Sequence, residues 1–197
     1  MAKLVTFERI TREEYLRREA LSPVKHDFID GRMVEREIVS MAGGSPNHVE
    51  ITPTLIGMLR TALRGKTCRP FGSDTLVHIE AIDRDYYPDA GVACPPNYLS
   101  DTVGEIDNPT VIVEVLSPSS EKNDRGDKFE DYRLLPSLRD YVLVSTRRRS
   151  VEVFSREEDD SWTLRIFVQS STAHLPSVGV DLPLDELYEN AVFNEAP

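Results

Sequence analysis

No apolar run in this chain of 197 residues approaches the ~20 residues that a membrane-spanning helix requires. The opening stretch, MAKLVTFERITREEYLRRE, is charged where a secretion signal would be apolar, so a cytoplasmic protein without membrane contact is expected. Cysteine is scarce: Cys68 and Cys94 are the whole complement, too few for a disulfide framework and without the second pair that a zinc site needs. Both read as reduced packing thiols. Positive charge is also in deficit, with 23 Lys and Arg against 34 Asp and Glu and a net charge of -11. An acidic chain repels a phosphate backbone at long range unless its cations are segregated. The cations that gather, Lys122, Arg125, Lys128 and Arg133 and the run Arg147, Arg148 and Arg149, read by themselves as solvated surface.

What is present fits a globular protein, with 40% hydrophobic and 29% charged residues. The length suits one domain over 1–197 with a substantial core. Thr11 followed by Glu14 has capping-box spacing and predicts a short first helix. Asp30-Gly31 between the strand-like runs of HDFIDGRMVEREIVSM signals a hairpin. A helix opens after Ser45 with Pro46 at its first position, and its apolar side is read as Val49, Ile56, Leu59 and Leu63. Pro53 removes a backbone donor there and should kink it. Strands are expected at 75–80, 88–93 and 110–117, with a long loop over 95–109. A helix over 124–135, three further strands (DYVLVST, SVEVFSR, SWTLRIFVQ) and a short helix in LPLDELYENAVF complete an α/β fold with a mixed sheet.

Two carboxylates stand where carboxylates cost most. Alternation in TVIVEVLS puts Val111, Val113 and Val115 on one face and Ile112, Glu114 and Leu116 on the other, so Glu114 lies on an apolar surface. A buried ionised carboxylate needs a cation or hydrogen bonds. If the strand carrying Asp89 pairs alongside, the two acids come close on one face, and one must hold a proton or a cation must lie between them. A hard divalent ion such as Mg²⁺ or Mn²⁺ suits that donor set. The competing reading is a structural ion pair at Glu114 and a turn at Asp89. At helical spacing Asp124, Lys128 and Tyr132 form one stripe, from which the Lys128 ammonium can stabilise negative charge on a phosphate. Asp74 reads as a turn end, and His26, His78 and His174 as structural. Ser117 lacks a histidine and acid at motif spacing, which leaves a serine hydrolase unsupported.

The strings YYPDAGV, VIVEVLSPSS, NDRGDKFEDY and DYVLVS, with FIDGRMVE and MAGGSPNHVEI, resemble the bacterial Uma-two family of restriction endonuclease-like proteins within the PD-(D/E)XK nuclease superfamily. The resemblance covers roughly 26 to 155 of the chain and is most specific in the Glu-Val-Leu-Ser-Pro string followed by Asp124, Lys128 and Tyr132. It implies a restriction endonuclease-like core with a mixed sheet flanked by helices and extra antiparallel strands. It further implies metal binding by Asp89 and Glu114, with the Val115 carbonyl as a further ligand. Glu50 matches the superfamily's helix-borne acid, and His48 matches this family's own pattern. The superfamily's usual lysine falls at Leu116, and the resemblance suggests that Lys128 replaces it. The expected activity is Mg²⁺- or Mn²⁺-dependent DNA endonuclease, acting as a homodimer. A nuclease fold kept as a binding or regulatory module, with little or no turnover, is the alternative.

Overall fold

The computed structural model describes residues 9–36, 45–100, 104–118 and 120–193. The part of the strand-like run that follows Arg36 and the glycines ahead of Ser45 lie outside the described residues. In chain order the elements are α1 (Arg12–Glu19), β1 (His26–Ile29), β2 (Arg32–Glu35), α2 (Pro46–Ala62), β3 (Arg69–Gly72), β4 (Leu76–Ile79), β5 (Arg84–Tyr86) and β6 (Ala90–Ala93). They continue with β7 (Glu105–Ile106), β8 (Pro109–Leu116), α3 (Glu121–Arg125), α4 (Asp127–Tyr132), β9 (Asp140–Ser145), β10 (Ser150–Arg156), β11 (Trp162–Val168), β12 (Thr172–Leu175), β13 (Val180–Pro183) and α5 (Leu184–Leu187).

β8 is central in a mixed six-stranded sheet of order β11-β10-β9-β8-β6-β3. It runs parallel to β9 and antiparallel to β6, and α3 and α4 form the crossover that a parallel pair requires. The alternation in its sequence is realised on two buried faces. Val111, Val113 and Val115 join a core under α2, α5 and the β12–β13 hairpin. Ile112 and Leu116 join Tyr132, Tyr141 and Leu143 against a second, five-stranded sheet of order β2-β1-β5-β4-β7. Each such side chain stabilises the fold by about 1.5–3 kcal/mol, and an acid on β8 is set between two apolar layers.

The turn and cap signals hold. The Thr11 hydroxyl accepts the Glu14 N–H at 3.2 Å, and Asp30 and Gly31 both take positive φ (53° and 77°), the type I′ geometry that joins β1 to β2. Several boundaries differ from expectation. The buried stripe of α2 is Ile51, Leu55 and Leu59, continued by Leu63, while Val49 is 54% exposed. α2 is continuous through Pro53. The expected helix over 124–135 is two helices that begin earlier, at Glu121, and break at Gly126. At that break the Asp124 carbonyl accepts the Tyr141 hydroxyl at 2.8 Å. The loop over 95–109 contains β7, which pairs parallel with β4.

The two cysteines are not free thiols. Arg69 lies opposite Ala93 in the β3–β6 ladder, which brings Cys68 and Cys94, one residue beyond each, into a disulfide. The spacing in sequence concealed this because β3 itself was not foreseen. Among the described residues no helix is long and apolar enough to cross a membrane.

Candidate active site

The register that pairs Ala90 with Val113 carries Asp89 opposite Glu114, one step beyond the end of β6. Asp89 is 8% and Glu114 1% exposed, so both acids sit within the protein where the sequence had placed them. Asp89 Oδ2 accepts the Val115 N–H at 2.8 Å, and it lies 3.4 Å from His48 Nε2. Asp89 Oδ1 lies 3.5 Å from the Arg36 guanidinium. Burial disfavours its charge, but His48, Arg36 and the Val115 N–H together hold the carboxyl below its usual range.

Glu114 is in a different position. Its Oε1 lies 3.1 Å from Lys128 Nζ and 3.5 Å from the Tyr132 hydroxyl. Burial pushes its carboxyl up to about 8 in spite of Lys128, helped by the negative charge of Asp124 and Asp89. Lys128 Nζ is also 3.1 Å from Asp124 Oδ1. Burial works against the ammonium, yet Glu114 and Asp124 outweigh it and hold Lys128 charged. Because Asp124 is a second partner, the ammonium remains stabilised when Glu114 carries a proton.

His48, Asp124 and Tyr132 thus join Asp89, Glu114 and Lys128 in one cluster. Val115 contributes its N–H to Asp89. Glu50 does not join: it is exposed on α2, because the side of the helix that faces the sheet is set by Ile51, Leu55 and Leu59. The break at Gly126 does not scatter the Asp124, Lys128, Tyr132 set: Lys128 and Tyr132 on α4 still reach Glu114, and Lys128 reaches Asp124 on α3.

Two participants were not foreseen. Asp27 in β1 is 7% exposed and accepts the Tyr87 N–H at 3.0 Å, and burial raises its carboxyl against the attraction of Lys128 and Arg36. Arg36 follows β2 directly. Asp27 lies beside Lys25 and His26 in sequence, so nothing local marks it as a buried acid.

The donor set fits a hard divalent cation. Four carboxylates, those of Asp27, Asp89, Glu114 and Asp124, share the fixed charge of Arg36 and Lys128, an excess of negative charge that such an ion balances. Asp124 Oδ1 is buried, with the Lys128 ammonium at 3.1 Å as its ion-pair partner. Among the described residues the group of three acid or histidine side chains whose ligand atoms lie within 4.8 Å of one another is a different one, His78, Asp85 and Glu105, but its charge is already met. Arg12 grips Asp85 through Nε at 2.9 Å and Nη2 at 2.7 Å and also binds Glu105, a fork geometry in which a guanidinium replaces an ion.

The Uma2 family, described as "Putative restriction endonuclease", matches residues 12–185. Two proteins of Synechocystis sp. are similar: "Uncharacterized protein slr1290" is 34% identical, with 95% of each chain covered. "Uncharacterized protein sll1609" is 33% identical over 83% of this chain and 90% of its own. The fold is similar to the crystal structure of "a putative nuclease belonging to DUF820" from Anabaena variabilis, with a TM-score of 0.68 at 16% identity over 91% of this chain and 98% of that one. With the family match spanning nearly all the described elements, the chain belongs to the Uma2 family.

Proposed function

We propose that the protein is a metal-dependent DNA endonuclease whose cleavage centre is the cluster at the carboxyl end of β8. The observation that carries this reading is the convergence of Asp89, Glu114 and Lys128, from three separate elements, in one buried place. A structural ion pair needs one acid and one base; here acids are in excess. Asp89 and Glu114, with the Val115 carbonyl, would hold Mg²⁺ or Mn²⁺. When bound, such an ion supplies a Lewis acid for the scissile phosphate and lowers the pKa of a water. His48 and Arg36 keep Asp89 anionic and oriented. Lys128 supplies a fixed positive charge, held in place by Asp124, toward the negative charge that develops on the phosphate. Tyr132 limits the freedom of Glu114. Cutting both strands of a duplex asks for two such centres, so the active species is a homodimer, which light scattering on a sizing column checks directly.

The test is cleavage of supercoiled plasmid. Nicked and linear DNA should form with Mn²⁺ or Mg²⁺ and not in chelator, and Glu114→Gln should cut nothing. Lys128→Met should lose on the order of 10²–10³ in rate while Mn²⁺ affinity by calorimetry stays within a few fold. Full activity in Lys128→Met would remove the lysine from the mechanism. A parent that binds Mn²⁺ and DNA but never cuts would favour a binding module.

A further inference from the structure

Of the cations that stand out in the sequence, Arg125, Lys128 and Arg149 are paired with acids in the fold, while Lys122, Arg133, Arg147 and Arg148 are exposed. Arg125 binds Glu121 at 3.0 Å and Glu152 at 2.6 Å, Lys128 is held by Glu114 and Asp124, and Arg149 binds Asp185 at 2.7 Å. A second group of cations gathers around a cavity. Between Glu50 and Asp74 the chain carries Arg60, Arg64, Lys66 and Arg69 and neither Asp nor Glu. All four are exposed. Among the described residues Arg60, Arg64 and Lys66 have no carboxylate partner, and Arg69 donates to the backbone carbonyls of Lys66 and Cys68.

These residues follow the chain from the end of α2 to the start of β3, which the disulfide ties to the segment after β6. The three arginines wall a cavity of about 730 Å³ that is lined by Arg60, Arg64, Arg69, Pro95, Pro96 and Tyr98, with Lys66 next to it in sequence. The Tyr98 ring is on its rim, with the residue 62% exposed. A helix C-terminus favours cations through its dipole, but that requires neither a cavity nor an aromatic side chain. The volume falls among the ~300–1,000 Å³ of ligand-binding sites. Segregation of unneutralised cations within a chain of net charge -11 is what an acidic protein requires if it is to hold a polyanion at all.

The position is informative. His48, beside Asp89, is in the first turn of α2, and Arg60 is twelve residues further on, roughly 18 Å along the helix at 1.5 Å per residue. We infer that this cavity is a second nucleic-acid contact, in which the arginines hold backbone phosphates and Tyr98 stacks on an unpaired base of a single-stranded stretch. Its distance from the cleavage centre corresponds to roughly five nucleotides at 3.4 Å per step along a strand. The inference rests on the nuclease reading of the other end of α2.

Binding of a fluorescein-labelled single-stranded DNA oligonucleotide, followed by anisotropy in chelator across a salt series, tests it without cleavage. Arg60→Gln with Arg64→Gln should weaken binding and flatten the salt dependence by about 0.7 in log–log slope for each phosphate that is no longer neutralised. Tyr98→Ala should weaken it by about five- to a hundredfold. Thermal melts of both variants should match the parent, since the three residues are exposed. Parent affinity and slope in the double arginine variant overturn the inference, as does a parent chain that does not bind the oligonucleotide. Thymidine monophosphate competing as tightly as the oligonucleotide also overturns it, by making the cavity a mononucleotide site. Plasmid cleavage separates the two readings: binding through these arginines without any cutting sinks the nuclease reading alone, and cutting with unaltered binding in the variants sinks the second site alone.

Discussion

Asp89 and Glu114 face each other across neighbouring strands and hold their protons differently. Burial raises both, but Asp89 has His48, Arg36 and a backbone N–H to stabilise its charge, whereas Glu114 rises to about 8. A carboxyl raised above its unfolded value of about 4.3 contributes stability that is full below that value and is lost as pH rises through the folded one. The metal-free protein should therefore lose stability between about pH 5 and 8, and Glu114→Gln should flatten that slope in urea melts run with chelator. A parent whose midpoint does not move across the window contradicts the assignment. Asp89→Asn removes the anion that Arg36 and His48 face and should cost about 1–3 kcal/mol at neutral pH. Because a metal ligand must be deprotonated, Mn²⁺ affinity should climb with pH up to about 8, with proton release measurable in buffers of different ionisation enthalpy. The place of Glu114 was legible in TVIVEVLS, since alternation alone sets it on an apolar face. Asp27 and Arg36 were not, because nothing local records that the first hairpin folds over a strand some eighty residues away.

At the level of elements, the signals that depend on backbone chemistry were legible: the Thr11 cap, the Asp30-Gly31 turn and the start of α2 at Pro46. Signals that depend on which face meets the core were less so. Val49 satisfies helical periodicity with Ile56 and Leu63, yet the sheet receives Ile51, Leu55 and Leu59. Leu55→Ala should accordingly cost about 2–5 kcal/mol, and Val49→Ala should stay within about 0.5 kcal/mol, both read from denaturant midpoints. Short strands escaped altogether, because β3 and β5 have too few residues to show a period. With β3 unrecognised, the pairing of Cys68 with Cys94 was invisible. Its removal by Cys68→Ser with Cys94→Ser should cost about 2–4 kcal/mol through the loop it closes. A thiol titration of the unfolded, unreduced parent should find no free thiol.

For the molecule as a whole, the burial of β8 on both faces and its pairing on both edges have a kinetic meaning. Amides of such a strand exchange with solvent only when the whole protein opens, whereas elements with little packed against them open locally and at lower free energy. α3 and α4 span 5 and 6 residues, lengths at which a helix has almost no stability of its own. Deuterium uptake should therefore be slowest in 110–116 and much faster in 121–132, and equal protection of the two segments would refute the contrast. On this expectation Glu114 belongs to the part of the protein that opens last, and Lys128 and Asp124 to helices that open sooner. An opening of α4 that leaves β8 paired on both edges would part Lys128 from Glu114 and leave the carboxylate where it is, so the ion pair can be broken without unfolding the sheet.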